Sequence, residues 1–186
     1  MTIERDQIID PTRPITVHIK RLYADQEDDA CRNRYITAVI YPTTAELREA
    51  ATTYARKRRI DDDFANAGGC FQPTAFSQRY DRRKKQWVDT TKAFAGVLRL
   101  SQEYLTPEVI AHEAVHITMH VTRLHDWAKP DGEGHVRIDE SGREEEAFAY
   151  LLGGVVCELT NIADRVRALT TEKERDRCRT AERGHK

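Results

Sequence analysis

The sequence predicts a single α+β domain, with a small, mainly antiparallel sheet packed on a helical layer. Three observations carry that expectation. Two runs rich in β-branched and aromatic residues, ITVHIKRLY at 15–23 and RYITAVIYP at 34–42, open the first half of the chain. Longer segments with apolar residues at helical spacing fill the second half. The length of 186 residues, 39% of them hydrophobic, suits one core of ordinary size.

The elements follow in order. Residues 1–14, charged and with two prolines, read as a flexible arm. Polar QEDD separates the two strand runs, which fits a hairpin or two neighbouring strands. TTAELREAATTYARKRR at 43–59 reads as a helix, because Thr43 with Glu46 forms a capping box and Leu47, Ala50, Ala51 and Tyr54 make one apolar stripe. Its basic end, Lys57, Arg58 and Arg59, suits the negative pole of the helix dipole. Gly68 and Gly69 mark a turn. CFQPTAFSQRY at 70–80 and AFAGVLRL at 93–100 are short β candidates, and basic DRRKKQW between them is an exposed loop or hairpin tip.

LTPEVIAHEAVHITMHVTRLH at 105–125 reads as one long helix. Thr106 is its N-cap, Pro107 takes the first helical position and Glu108 favours the positive end. Val109, Ile110, Val115, Ile117 and Val121 supply apolar surface. Pro130, Gly132 and Gly134 make DWAKPDGEGH a loop. A last helix begins near Arg143 and runs through EEEAFAYLLGGVVCELTNIADRVRAL. Residues 170–186 are charged enough to be frayed helix or a disordered tail, which leaves 15–169 as the domain.

Charge and composition narrow the function. A net charge of −1 gives the whole molecule no pull toward nucleic acid, and the basic runs at 57–59 and 82–85 read as solvated surface. Nucleic-acid binding would show as salt-dependent retention on DNA, and little is expected. No run reaches the roughly 20 apolar residues of a membrane span, and the charged start MTIERDQIIDPTRP has no apolar signal core. A cytoplasmic protein without a membrane partner is expected. Cys31, Cys70, Cys157 and Cys178 are far apart and form no Cys-x-x-Cys pair, which argues against disulfides and against a four-cysteine zinc cluster.

The chemistry concentrates in HEAVH at 112–116. His112 and His116 are four apart on a helix, so their side chains point the same way, roughly 5–6 Å apart at Cβ. Two imidazoles so placed converge on one zinc at about 2.0–2.1 Å. Glu113 lies beside the metal, outside the ligand pair, where it reaches a water made acidic by zinc and takes its proton during attack on a peptide carbonyl. The same carboxyl then delivers the proton to the leaving amine.

Zinc needs a third protein ligand. The pattern HExxHxxGxxH is ruled out, since position 119 is Met and position 122 is Thr. His120 is a further turn along and points elsewhere, while His125 and His135, in or beside the loop, remain open. The acidic start of the last helix, Glu144, Glu145 and Glu146, is the better source. Close approach to the HEAVH segment calls for small residues on the ligand's face. From Glu146 that face continues through Ala149 and Gly153; from Glu145 it meets Phe148 and Leu152, and from Glu144 Ala147 and Leu151. Glu146 is therefore selected, with Glu145 second. The plainer role for all three is to favour the helix dipole. Tyr150, His135 and Tyr104 are candidates for stabilising a transition-state oxyanion, and Trp87 and Trp127 read as rim or core aromatics.

His112-Glu113-Ala114-Val115-His116, followed by a helix bearing Glu146-Ala147-Phe148-Ala149, resembles the gluzincin metallopeptidases. In that family the third ligand is a glutamate on a following helix, commonly in a Glu-x-x-Ala setting. The short chain resembles the compact members, the phage and actinobacterial HExxH proteins and the ImmA/IrrE-like proteases. The resemblance covers about residues 93–157; no helix-turn-helix partner is visible, and His116 and Glu146 are further apart than in the larger gluzincins. It implies a zincin-like fold, His112, His116 and Glu146 as zinc ligands, Glu113 as general base, and a zinc-dependent hydrolase acting on a protein or peptide. The strand AFAGVLRL takes the place where such enzymes set the strand that lines the cleft. The alternative is a catalytically silent zincin-fold binding or accessory protein, against which an intact Glu113 argues. Substrate specificity and oligomeric state are not written in the sequence.

Overall fold

A computed structural model describes residues 12–20, 35–60, 64–74, 78–83, 85–89, 94–124, 128–130, 136–138 and 143–183. The arm at 1–11, the connection between the first two strands, His125, Trp127 and His135 lie outside them. The chain is α+β, with three α-helices and a small mixed four-stranded sheet among the described residues. The sheet has the order β1(Ile15–Lys20), β2(Tyr35–Tyr41), β6(Phe94–Ser101), β3(Gly69–Pro73). β1 runs antiparallel to β2 and β3 antiparallel to β6, whereas β2 and β6 are parallel. A parallel neighbour needs a crossover, and α1(Thr44–Arg58) lies on that connection. Two small antiparallel pairs, β4(Gln78–Asp81) with β5(Gln86–Asp89) and β7(Ala128–Pro130) with β8(Val136–Ile138), stand apart from it.

Strand alternation sorts the side chains onto two faces. Ile15, Val17, Ile19, Ile36, Ala38, Ile40, Leu98 and Leu100 form one core with α2(Pro107–Leu124) and α3(Arg143–Arg183). On the opposite face Tyr41 and Cys70 pack with Leu47 and Ala51 of α1. α1 starts as its sequence dictates: the Thr43 hydroxyl accepts the Glu46 N–H at 3.3 Å. Its end is sharper than composition shows, because Arg59 turns left-handed (φ 56°) and its N–H bonds back to the last turn. At the start of α2, Thr106 accepts from the amides of Val109 and Ile110 through its hydroxyl and its carbonyl.

Several expectations change. The β candidate at 70–80 divides into β3 and β4, which belong to different sheets. The stretch 81–87 does form a hairpin tip, between β4 and β5. The loop at 126–135 carries β7 and leads into β8. The last helix does not stop at 169: α3 is 41 residues long and continues to Arg183. Between Ala147 and Glu172 it is long and apolar enough to cross a membrane by length and composition, although Leu151, Val155, Leu159, Ile162 and Val166 are buried in the core. Each such burial stabilises the fold by about 1.5–3 kcal/mol.

Candidate metal centre

α2 is amphipathic, and its polar side carries the motif. Ile110, Ala114, Ile117 and Val121 are buried, while His112 and His116 are exposed one turn apart. Their Nε2 atoms lie 3.1 Å from each other. Two nitrogens bound tetrahedrally to one zinc at 2.0–2.1 Å are separated by about 3.3 Å, so the pair is spaced for a shared ion. The same distance serves a hydrogen bond between two neutral imidazoles. Partial burial, then the charge of His112, hold the His116 pKa below its ordinary value. That favours the neutral ring a metal requires. His120 turns away: it is buried, with its ring 5.7 Å from that of Phe71.

Glu113 differs from its histidine neighbours. It is 4% exposed and sits between α2 and β3. The Phe71 backbone N–H donates to its carboxyl, and Oε2 has no hydrogen-bond partner. Burial pushes its pKa from 4.5 up to about 7, and the Phe71 N–H opposes that only in part. Gly69 is what lets strand and helix come so close. A Cβ there would lie 2.9 Å from Val109 Cγ1, 3.1 Å from Leu100 Cδ2 and 3.2 Å from Glu113 Cγ.

β3 rather than β6 is the strand beside the motif. β6 is paired on both sides, so it offers no edge. Among the described residues β3 is an edge strand, and its register fixes what that edge presents. Thr74 N–H donates to the Ala95 carbonyl at 2.9 Å, so the even-numbered residues of β3 make the ladder bonds to β6. Gly69, Phe71 and Pro73 therefore turn their backbone groups outward, as the Phe71 N–H bond to Glu113 requires. Sequence reasoning missed this partner because it is a backbone group, and Gly69 read only as part of a turn.

The third ligand is the part the geometry leaves open. Among the described residues no further His, Cys, Asp or Glu joins the histidine pair. Glu144, Glu145 and Glu146 do lie in the first turn of α3, but their side chains fall outside the described residues. The small-residue argument for Glu146 loses its basis, since Ala149 and Gly153 are exposed and nothing lies within 4 Å of a Cβ built at Gly153. The buried stripe of α3 runs instead through Leu151, Val155, Leu159 and Ile162. Carried back two helical turns from Leu151 through Ala147, the same register reaches position 144, with position 145 at its border, two turns before Leu152. The period of the large apolar residues was the signal to follow. Of the oxyanion candidates, Tyr150 is 74% exposed and Tyr104 is 50% exposed. Neither is brought to the histidines by a hydrogen bond or ring contact among the described residues. No family model, curated protein or solved structure matches this chain.

Proposed function

We propose that the chain is a zinc-dependent peptidase of the gluzincin kind, with His112 and His116 holding the metal and Glu113 acting as general base. The observation that carries the reading is the pairing of two convergent imidazoles with a buried carboxyl one residue away. The donor set suits zinc, which accepts imidazole nitrogen and carboxylate oxygen. When bound, the ion would supply Lewis acidity that makes an attacking water a nucleophile at neutral pH. Glu113, shielded from bulk water by burial, takes the proton of that water and returns it to the leaving amine. The outer edge of β3 supports an extended peptide as substrate, because the Gly69, Phe71 and Pro73 carbonyls are positioned for main-chain hydrogen bonds with an added strand.

The rival reading is a non-catalytic binding or accessory protein of the same fold. Zinc content decides between the two. Elemental analysis of the purified chain is expected to give about one zinc, as a mononuclear site requires. His112→Ala and His116→Ala lose it, and Glu113→Gln keeps it. Glu144→Ala, Glu145→Ala and Glu146→Ala identify the third ligand by which one loses zinc, and the register of the buried stripe ranks Glu144 and Glu145 ahead of Glu146. A wild type that takes up no zinc after reconstitution sinks the peptidase reading.

A further inference from the structure

On the face of the sheet opposite the histidines, α1 and the strands enclose an open cleft of about 460 Å³. Arg99 of β6 lines it and is only 7% exposed. A buried guanidinium is ordinarily paired with a carboxylate. Here Nε has no hydrogen-bond partner, and among the described residues no carboxylate forms an ion pair with the group. What it has is the ring of Tyr54, 5.2 Å from Cζ, with Arg58 also 5.2 Å from the same ring. The Tyr54 hydroxyl is likewise buried without a partner. Lys57 stands at the cleft as a second cation and Tyr41 as a second aromatic wall. Two buried donors, Arg99 Nε and the Tyr54 hydroxyl, therefore belong to residues that line the cleft, and among the described residues no acceptor satisfies them. A cation–π contact offsets part of the burial of Arg99 but accepts no hydrogen bond.

We propose that this cleft binds a small ligand through an oxyanion, a carboxylate or a phosphate, held by Arg99 with Lys57 and flanked by Tyr41 and Tyr54. Arginine presents a planar fork of donors matched to such groups. Glu46 and Glu49, which also line the cleft, limit the ligand's character. They repel a polyanion and suit a molecule whose other polar groups are donors. The site is independent of the metal centre, since Arg99 faces α1 while Leu98 and Leu100, beside it on β6, face α2 and α3.

The test is an NMR titration of the ¹⁵N-labelled full chain that follows arginine Nε–H signals. Potassium phosphate and sodium acetate are added separately, each against sodium chloride at matched ionic strength. Arg99 is assigned as the signal lost in Arg99→Lys. Its resonance is expected to shift saturably with at least one oxyanion and not with chloride. Saturation by phosphate alone assigns a phosphorylated ligand, and by acetate alone a carboxylate. Affinity, read in every variant from the backbone amide signals of α1 and β6 in the same titration, falls about tenfold or more in Arg99→Lys, which keeps the charge but loses the fork. It falls a few-fold in Lys57→Ala, an exposed helix position whose change leaves the fold intact. The proposal is overturned if neither oxyanion moves the Arg99 signal saturably, if chloride moves it equally, or if Arg99→Lys binds as tightly as the wild type. Any of those results would leave Arg99 as a packing group for Tyr54.

Discussion

Replacing Glu113 by Gln changes how stability depends on pH, and the size of the change follows from the carboxyl's surroundings. In the folded chain this group holds its proton up to about pH 7, whereas an ordinary carboxyl loses it near 4.5. Between those values the unfolded state binds fewer protons than the folded one, so stability falls as pH rises. The displacement corresponds to about 3 kcal/mol, lost progressively from pH 4.5 to 7 and absent from the variant. His116 works in the opposite sense, since its lowered pKa makes the folded state gain stability as pH rises toward the ordinary imidazole value. That contribution is common to both proteins and drops out of their difference. The assay is urea unfolding of the metal-stripped wild type and Glu113→Gln, in EDTA, at steps from pH 4.5 to 8.5. The quantity to read is the change in their stability difference with pH, because a constant offset also contains the packing of the new amide. The variant gains on the wild type by up to about 3 kcal/mol across the window. Parallel profiles would refute the argument, because they would mean that Glu113 ionises as though hydrated.

Other consequences follow from the same contacts. Gly69→Ala forces a methyl to within 2.9 Å of Val109 Cγ1. It should cost about 1–3 kcal/mol in urea unfolding. Gly153→Ala is the matched control: a helical glycine with nothing within 4 Å, whose replacement should stabilise by about 0.5–1 kcal/mol. Equal effects at the two positions would contradict the close approach of β3 to α2. Deleting the end of α3 after residue 172 should change stability by no more than about 0.5 kcal/mol, since Val166 is the last buried apolar residue among the described ones. A larger loss would mean that the charged end packs on the domain.

What the sequence reveals here is what is decided locally. The Thr43 and Thr106 caps, the stripe of α1 and the spacing of His112 and His116 each depend on a few neighbouring residues, and each is found where the residues put it. Neighbour choice in the sheet is not local. The parallel pairing of β2 with β6 and the place of β3 at the edge come from burying both sheet faces at once, on α1 and on α2 with α3. No property of CFQPTAFSQRY taken alone says that its first half joins one sheet and its second half another. The small-residue argument for choosing among the glutamates of α3 rests on a different kind of signal. Small residues mark close approach only on a packed face, and Ala149 and Gly153 lie on the exposed one. The tail beyond residue 169 shows that high charge does not by itself end a helix. Its composition is rich in residues that lose little rotamer freedom in helical form.

The polar groups that the fold buries without satisfying them bear on function more directly than any of its secondary structure. Oε2 of Glu113, Nε of Arg99, the hydroxyl of Tyr54 and Oε1 of Gln72 are among the groups sequestered from water without hydrogen-bond partners. Each such group costs about 1–3 kcal/mol relative to an apolar replacement that packs as well. Gln72 keeps one bond, from its amide nitrogen to the Ala51 carbonyl. Of the other three, Glu113 follows His112 on α2, and Arg99 and Tyr54 both line the cleft on the α1 face. Gly69 in β3 adds to the first cost by pressing the strand against Glu113, where a larger residue would hold the strand off and admit water. A sequence shaped for stability alone would relieve both places with one or two apolar substitutions. Glu113 and Arg99 are therefore the two positions at which stability and function should separate. A substitution that makes the isolated chain harder to unfold should abolish the proposed hydrolysis, with zinc retained, at Glu113, and oxyanion binding at Arg99.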